Sequence, residues 1–493
     1  MSFYGFQIAK SGLYASQRGL EVVANNIANA TTKGYSRQVL NLSSIPGAGG
    51  SLAGSASIAA VGAGVNIDNV DQYRDSYLDS QYRQQNSLSG EAQVKSDTLY
   101  SVEDLFNNTT DSGIDDILST FFNSLDELTK SPESEEIRTL VRQDATSVVE
   151  TMNYYSDQLE SLQNQQNEAV SVTVGQINNL ANEINDYNAQ IIKYENNGSI
   201  ANELRDKRNS ALDDLSNIVN ITYSEDSTGA VSVNFGSNNE SLVDGSGVHL
   251  LSVAKDLPDY FGNADTFNSI YLSSGAAISA DDLTSGTLKG YLDMRDGNSN
   301  SNMGIPYYIN KLDNLTKGII DSVNSVNKSG YTYPSDSNGN SSVTGVNFFD
   351  PLHVNAKTMS LDSQITNSVF NIAASSVQII GETQTGNNEN ALALVGIIDK
   401  TDIPVISNIG QYLKSIVSDV AVQTSYSNGK VDSETLLLDN ISTKRSSVSG
   451  VSVDEEMTNM MMYQKSYSAA ARVITAIDEQ LDTLINKTGT VGR

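Results

Sequence analysis

The sequence predicts a mainly α-helical protein with β-rich insertions. Its expected core is a long antiparallel helical bundle, a coiled-coil rod built from both chain halves, with one or two small β domains inserted. Three observations predict this. Apolar residues recur every seven positions at both ends of the 493-residue chain, the spacing of a narrow helical seam that must pack on another helix to leave water. The interior from about 134 to 219 keeps helical spacing with one Asn-Asn-Gly interruption. Short alternating segments bracketed by Gly and Asn, the pattern of half-buried strands, appear only after residue 221.

The elements follow in order. A helix is expected from Phe3 to Ala30, ahead of Gly34. Phe6, Leu13, Leu20 and Ile27 form one heptad series; Ala9, Ser16, Val23 and Ala30 form its companion. Asn25, Asn26 and Asn29 sit in its last turns, where asparagine competes for its own backbone and needs a polar partner. Residues 43–65, rich in Gly, Ala and Ser, read as a mobile loop. Helical patterns cover about 70–105 and 114–129, the latter with Ile117, Leu118, Phe121, Phe122, Leu125 and Leu128 on one face. Pro132 starts the next helix, which runs to about 195. Its polar stretch from Gln163 to Asn167 separates two seams and predicts a bend or a change of partner there.

Residues 201–219 resume helical spacing. Val231, Val233 and Phe235 alternate with polar residues inside a β-rich insertion over 221–283. Helix is expected again over 286–328, where Ile305, Leu312, Ile319 and Val326 fall seven apart, and from 366 to 445. Residues 330–364 read as a second β-like insertion or loop. The last helix is expected over 453–487, on the order of 50 Å long at 1.5 Å per residue. Ser452 with Glu455 forms a capping box, Asp454, Glu455 and Glu456 fill the first turn, Lys487 lies in the last turn and Gly489 stops it. Its heptads are Met460, Tyr467, Ile474, Leu481 and Tyr463, Ala470, Ile477, Leu484. The domain reading follows. Residues 1–65 and 446–493 form a terminal coiled-coil domain; 66–220, 284–329 and 365–445 a helical rod domain; 221–283 and 330–364 the two insertions.

Composition narrows the function. Lys plus Arg number 30 and Asp plus Glu 59, a net charge of −29, which argues against nucleic acid and anionic membrane as partners. There is no cysteine, and no apolar run approaches a membrane span. No basic segment followed by an apolar core opens the chain, so a cleaved secretory signal is not expected. No phosphate loop, nucleophile elbow or zinc motif occurs. His249 and His353 stand far apart. Asp336-Ser337-Asn338-Gly339-Asn340 opens like a calcium loop but lacks its sixth-position Gly and twelfth-position Glu, and Asp296, Asn298 and Asn300 fail the same test. Neither an enzyme, a cofactor nor a metal is expected.

The segment Asn25-Asn26-Ile27-Ala28-Asn29-Ala30-Thr31-Thr32-Lys33-Gly34-Tyr35-Ser36-Arg37-Gln38 closely resembles the N-terminal motif of bacterial flagellar axial proteins, the rod, hook and hook-associated family. Ser11-Gly12-Leu13-Tyr14-Ala15-Ser16-Gln17 fits the same pattern. So do Ser449 to Met457, Tyr463-Gln464-Lys465-Ser466-Tyr467 and Ala471-Arg472-Val473-Ile474 at the other end. Inside the chain, Gln176 to Leu180, Asn202 to Arg208, Gly286 to Leu292 with Arg295, and Asn347-Phe348-Phe349-Asp350 resemble the hook-associated members.

The resemblance implies a structural subunit that joins hook to filament and is required for filament assembly and motility. It implies a ring of about eleven copies, with contacts to the hook protein, a second hook–filament junction protein, an export chaperone and the type III export apparatus. It also implies an extracellular location, reached without a cleaved signal. Other readings are a hook or distal-rod subunit, or an exported coiled-coil adhesin or effector. The expected polymer interface comprises Phe6, Leu13, Leu20, Asn25, Asn26, Ile27, Asn29, Gly34, Tyr35, Arg37 and Gln38, with Met460, Tyr463, Tyr467, Ile474, Ile477, Leu481 and Leu484. Of these, Met460, Tyr467, Ile474 and Leu481 are expected to bind the chaperone.

Overall fold

A computed structural model describes residues 3–46, 62–106, 113–264, 266–334, 342–380 and 383–487. In chain order its elements are α1 (Phe3–Ala28), β1 (Gln38–Ile45), β2 (Gly64–Gln72), α2 (Ser76–Phe106), α3 (Ile114–Lys130), α4 (Glu135–Glu195) and α5 (Asn202–Ile218). Then come β3 (Ile221–Glu225), β4 (Val231–Phe235), β5 (Glu240–Asp244), β6 (Gly247–Val248), β7 (Ser252–Leu257), β8 (Phe267–Tyr271) and β9 (Ala277–Ile278). The remainder is α6 (Thr287–Asp296), β10 (Asn298–Ser299), β11 (Asn302–Met303), α7 (Ile305–Ser329), α8 (Ser363–Asn367), α9 (Glu389–Val395), α10 (Ile409–Ser449) and α11 (Val453–Asp482). The protein is mainly helical with small antiparallel sheets, as its periodicity predicts.

Two compact units divide the chain. The first holds Met1–Ser87, Gln176–Leu250 and Thr435–Arg493; the second holds Leu88–Gly175 and Leu251–Glu434. Residues 221–283, expected as one insertion, contain two separate sheets. The four-stranded sheet β3-β4-β5-β6 belongs to the first unit and the three-stranded sheet β7-β8-β9 to the second.

In the first unit, Val231, Val233 and Phe235 alternate inward along β4, as period-two burial requires. Asn188 of α4 holds this sheet: its amide donates to Val231 O at 2.8 Å and accepts from Val231 N at 3.0 Å. Ile177, Ile184 and Ile191 of α4 and Leu212 and Leu215 of α5 are fully buried. The second unit has an extensive apolar core from α3, α4, α7 and α10, with Phe121, Phe348 and Phe349 packed edge to face at its centre.

Several elements differ from the sequence reading. The loop expected over 43–65 is partly a hairpin: β1 pairs with β2 from Gln38 opposite Gln72 to Ile45 opposite Gly64. Its strand signal is weak because Asn66, Asp68, Asn69 and Asp71 dilute the apolar alternation. Helix α4, by contrast, makes the expected change of partner without a break, passing from the second unit to the first between Gly175 and Gln176, beyond the polar stretch Gln163–Asn167. These polar residues instead pay a lateral debt: Gln163 donates to Arg295 O, and Asn167 accepts from Asn268 N of β8 and from Arg295. The helix expected over 286–328 is split by the β10–β11 turn, where a Cβ on Gly297 or Gly304 would lie 2.5 Å from Asp293 O. Among the described residues between 366 and 408, helix is confined to the end of α8, a 3-10 turn at Val369–Asn371 and α9. Ile372, Ile379, Ile397 and Ile403 are buried there in irregular chain, anchored in part by Arg138, which donates to the carbonyls of Pro132 and Ile372. Helix α11 passes into a single π turn over Thr483–Lys487; Gly489 and the Asp336–Asn340 segment lie outside the described residues.

Candidate assembly interface at the paired termini

Helices α1 and α11 both belong to the first unit and lie antiparallel. A Cβ on Gly19 would come within 2.6 Å of the Tyr463 ring, and one on Gly5 would lie 3.7 Å from Ile477 Cδ1. Asn26 reaches Glu456. Each step of seven along α1 is therefore matched by seven back along α11. Glycine at the contact lets the backbones approach closely, so the small series does the buried packing: Ala9, Ser16 and Val23 are buried. The large series does not disappear. Leu13, Leu20 and Ile27 are half-buried and Phe6 is exposed.

Along α11, Met460, Tyr463, Ile474, Ile477 and Leu481 are half-buried and Tyr467 is exposed, as is Leu484 in the π turn that follows. On the outer face Val453, Met457 and Met461 form an exposed stripe at i, i+4 spacing. Among the described residues of α11, Glu456 is the one that is buried. The N-cap is half of the expected box: Ser452 Oγ accepts from Glu455 N.

The asparagine-rich stretch finds its polar partners inside the chain. Asn26, 1 % exposed, donates to Gln38 O and Glu456 Oε2, both at 2.9 Å. Its carbonyl accepts from Gln38 N at 2.9 Å and the Tyr35 hydroxyl at 2.8 Å. All four hydrogen-bonding positions of the amide are filled. Asn29 donates to Asn25 O and Oδ1, and Asn25 reaches the Tyr35 hydroxyl at 3.4 Å. Burial, with Asp206, Glu203 and Glu456 nearby, raises the Tyr35 phenol well above its usual range, so it remains a donor. Arg37 completes the cluster with Nε 2.9 Å from Glu456 Oε1 and Nη1 3.2 Å from Glu455 Oε2. Its backbone N–H donates to Ser449 O. Gly34 turns the chain in the left-handed region at φ 82°. Thus Asn26 and Gln38, expected at a subunit interface, are buried within the chain.

Behind this cluster lies an ion network that sequence reasoning missed. Asp79 binds Arg74 at 2.8 Å and Arg445 at 2.7 Å; Asp213 binds Arg445 at 2.6 Å and Arg83 at 2.8 Å. Burial raises the Asp79 carboxyl, but hydrogen bonding to Arg74 and the charges of Arg74, Arg445 and Arg83 outweigh it and hold it below its usual value. Asp206 accepts from Ser36 N at 3.0 Å, and burial raises its pKa. A cleft of about 1170 Å3 opens here, lined by Lys33, Tyr35, Arg37, Arg445 and Glu455 among others. No spacing of Arg74, Asp79, Asp213 and Arg445 in sequence marks them as partners. The glycines at 5, 12 and 19, by contrast, are a visible heptad.

His249 pairs with Asp244 and His353 with Asp350. Among the described residues no cluster of His, Cys, Asp and Glu could hold a metal, and no helix is long and apolar enough to cross a membrane.

The chain is similar to known proteins. The chain matches the family described as "Flagellar hook-associated protein FlgK helical domain" over residues 99–349. It also matches "Flagella basal body rod protein" over 6–35 and "Flagellar basal body rod FlgEFG protein C-terminal" over 443–487. It is 30 % identical to flagellar hook-associated protein 1 of Bacillus subtilis (strain 168), over 100 % of this chain and 99 % of that protein. Against the Salmonella typhimurium protein of the same name it is 24 % identical over 97 % of this chain and 98 % of that one. The structure of the flagellar hook junction protein FlgK from Burkholderia pseudomallei shares the fold, with a TM-score of 0.61 and 14 % identity over 75 % of this chain and 100 % of that chain.

Proposed function

The chain belongs to the flagellar hook-associated protein 1 family, and from that premise we propose how its surfaces serve the flagellum. It is a structural subunit of the flagellum that joins hook to filament and associates with other flagellar axial components. Its proposed role is non-catalytic. Copies pack through the terminal helices into a ring of about eleven, the hook protein on one side and a second hook–filament junction protein on the other. The subunit is proposed to reach the cell exterior through the type III export apparatus, with an export chaperone covering Met460, Tyr467, Ile474 and Leu481 beforehand.

The observation that carries the assembly reading is the exposure of α11. Met457, Met461, Met462, Tyr467, Val473 and Leu484 remain exposed on a helix that buries only Glu456 among its described residues. So many exposed apolar side chains along one helix, Val453, Met457 and Met461 among them on a single stripe, favour neighbours over water. Phe6 and the half-buried Leu13, Leu20 and Ile27 offer the matching surface on α1, while Asn26, Arg37 and Gln38 serve it indirectly by holding the pair together. Electron microscopy of cells lacking the chain tests this. Hooks without filaments, with filament subunit shed into the medium, support the junction role. Normal filaments in those cells reject it.

A further inference from the structure

We infer that Asn26 and Glu456, aided by Arg37, determine the register in which α1 pairs with α11. This goes beyond the assembly role and concerns the isolated chain. The apolar seam alone cannot select a register, because it repeats. Gly5, Gly12 and Gly19 present the same bare backbone every seven residues, opposite Ile477, Ala470 and Tyr463. A slide of one heptad is about 10.5 Å. In one direction it sets Tyr463 opposite Gly12, where an added Cβ would meet nothing within 4 Å, and Ala470 opposite Gly5. The glycine ladder accepts that register as readily as the observed one.

The polar cluster does not repeat. In the slid register Glu456 would face Gly19 and Asn26 would face Ser449. The carboxylate would lose the Asn26 amide at 2.9 Å and the Arg37 guanidinium at 2.9 Å, and Asn26 would keep only its partners at Tyr35 and Gln38. Slid the other way, the Tyr463 ring would meet Asn26, whose amide is already fully bonded. A buried polar group in a self-similar seam penalises every register but one, at some cost in stability.

The test uses the full chain, which contains no cysteine. Gly5→Cys is combined with Ile477→Cys, with Ala470→Cys or with Leu484→Cys, and each pair is treated with a short bis-maleimide. The first pair reports the observed register; the other two report one-heptad slides. In the otherwise unchanged chain the first pair should dominate by at least about tenfold, and in an Asn26→Leu/Glu456→Leu background that preference should fall to about twofold. Tyr463→Ala, which weakens the seam and leaves the cluster intact, should retain the preference. If the leucine variant cross-links only at 5 and 477, the three-residue link between α10 and α11 fixes the register and the inference is overturned. Loss of all three cross-links in that variant overturns it too, because the cluster would then hold the pair rather than choose its alignment. These readouts need no polymer, so their failure is separable from failure of the junction role.

Discussion

Asn26 and Glu456 are 430 positions apart in the chain, yet the amide donates to the carboxylate at 2.9 Å with both side chains out of solvent. The two ends of the protein are closed on one another by a hydrogen bond to a charge, the stronger kind. Removing either partner strands the other. Asn26→Ala should destabilise the first unit by about 1–3 kcal/mol, and Glu456→Ala by about 3 kcal/mol or more, because Arg37 loses a buried partner. Thermal unfolding would show the loss. Hydrogen exchange should show protection greatest near residues 26 and 456 and declining toward Phe6 and Leu481.

Gly19 and Gly12 share a series but should respond oppositely to alanine. Gly19→Ala puts a methyl 2.6 Å from the Tyr463 ring, an overpacking cost of about 1–3 kcal/mol. Gly12→Ala meets open space and should stabilise α1 by up to about 1 kcal/mol through helix propensity. Denaturant titration resolves both. Combining Gly19→Ala with Tyr463→Ala should remove most of the Gly19 penalty, the signature of a direct contact.

The ion network predicts a defined acid response. The folded-state pKa of Asp79 is held below its ordinary 3.8, so its contribution is present above about pH 4 and lost as pH falls through the lowered value. Asp206 has the opposite sign: its raised pKa favours the protonated folded form, and that contribution fades as pH rises from 3.8 through the raised value. Asp79→Asn should therefore cost about 3 kcal/mol at pH 7, by removing the carboxylate shared by Arg74 and Arg445 while Asp206 and Asp213 still partner them, and should flatten the fall in melting temperature below pH 4. An unchanged acid limb would remove Asp79 from the explanation.

Assembly and folding should separate on α11. Met457→Asp and Met461→Asp alter exposed positions and should shift monomer stability by less than about 0.5 kcal/mol. Placed against a neighbour, the same carboxylates would be buried unpaired at a cost of several kcal/mol. Cells carrying them should fail to swim on soft agar while the purified protein melts normally. Wild-type swimming would show that this stripe faces solvent in the flagellum.

Much of this was legible in the chain. The heptads locate α1 and α11 to within a few residues, and the asparagines of the first motif announced a polar partner. Period alone does not specify rotation, however. Phe6 and Leu13 have the same spacing as Ala9 and Ser16, and only close approach at Gly5 and Gly19 turns the small series inward. Hairpin β1–β2 escaped notice because its backbone ladder needs no apolar alternation. The turn at Gly297 and Gly304 escaped because the heptad of α7 begins immediately after it, at Ile305. The ion network joins three separate stretches of sequence, residues 74–83, Asp213 and Arg445, so no local pattern could reveal it.

The link from α10 to α11 at residues 450–452 has a mechanical meaning. Helix α11 is fastened twice: through α10, whose Arg445 is pinned to Asp79 and Asp213, and through Arg37 and Asn26, which grip Glu456 and lead into α1. A pull along α11 divides between these routes. Because α1 and α11 lie side by side, the grip on Glu456 is loaded in shear, its bonds straining together rather than peeling one at a time. A load applied to α11 would be shared by two restraints, and slackening one would leave the other taut.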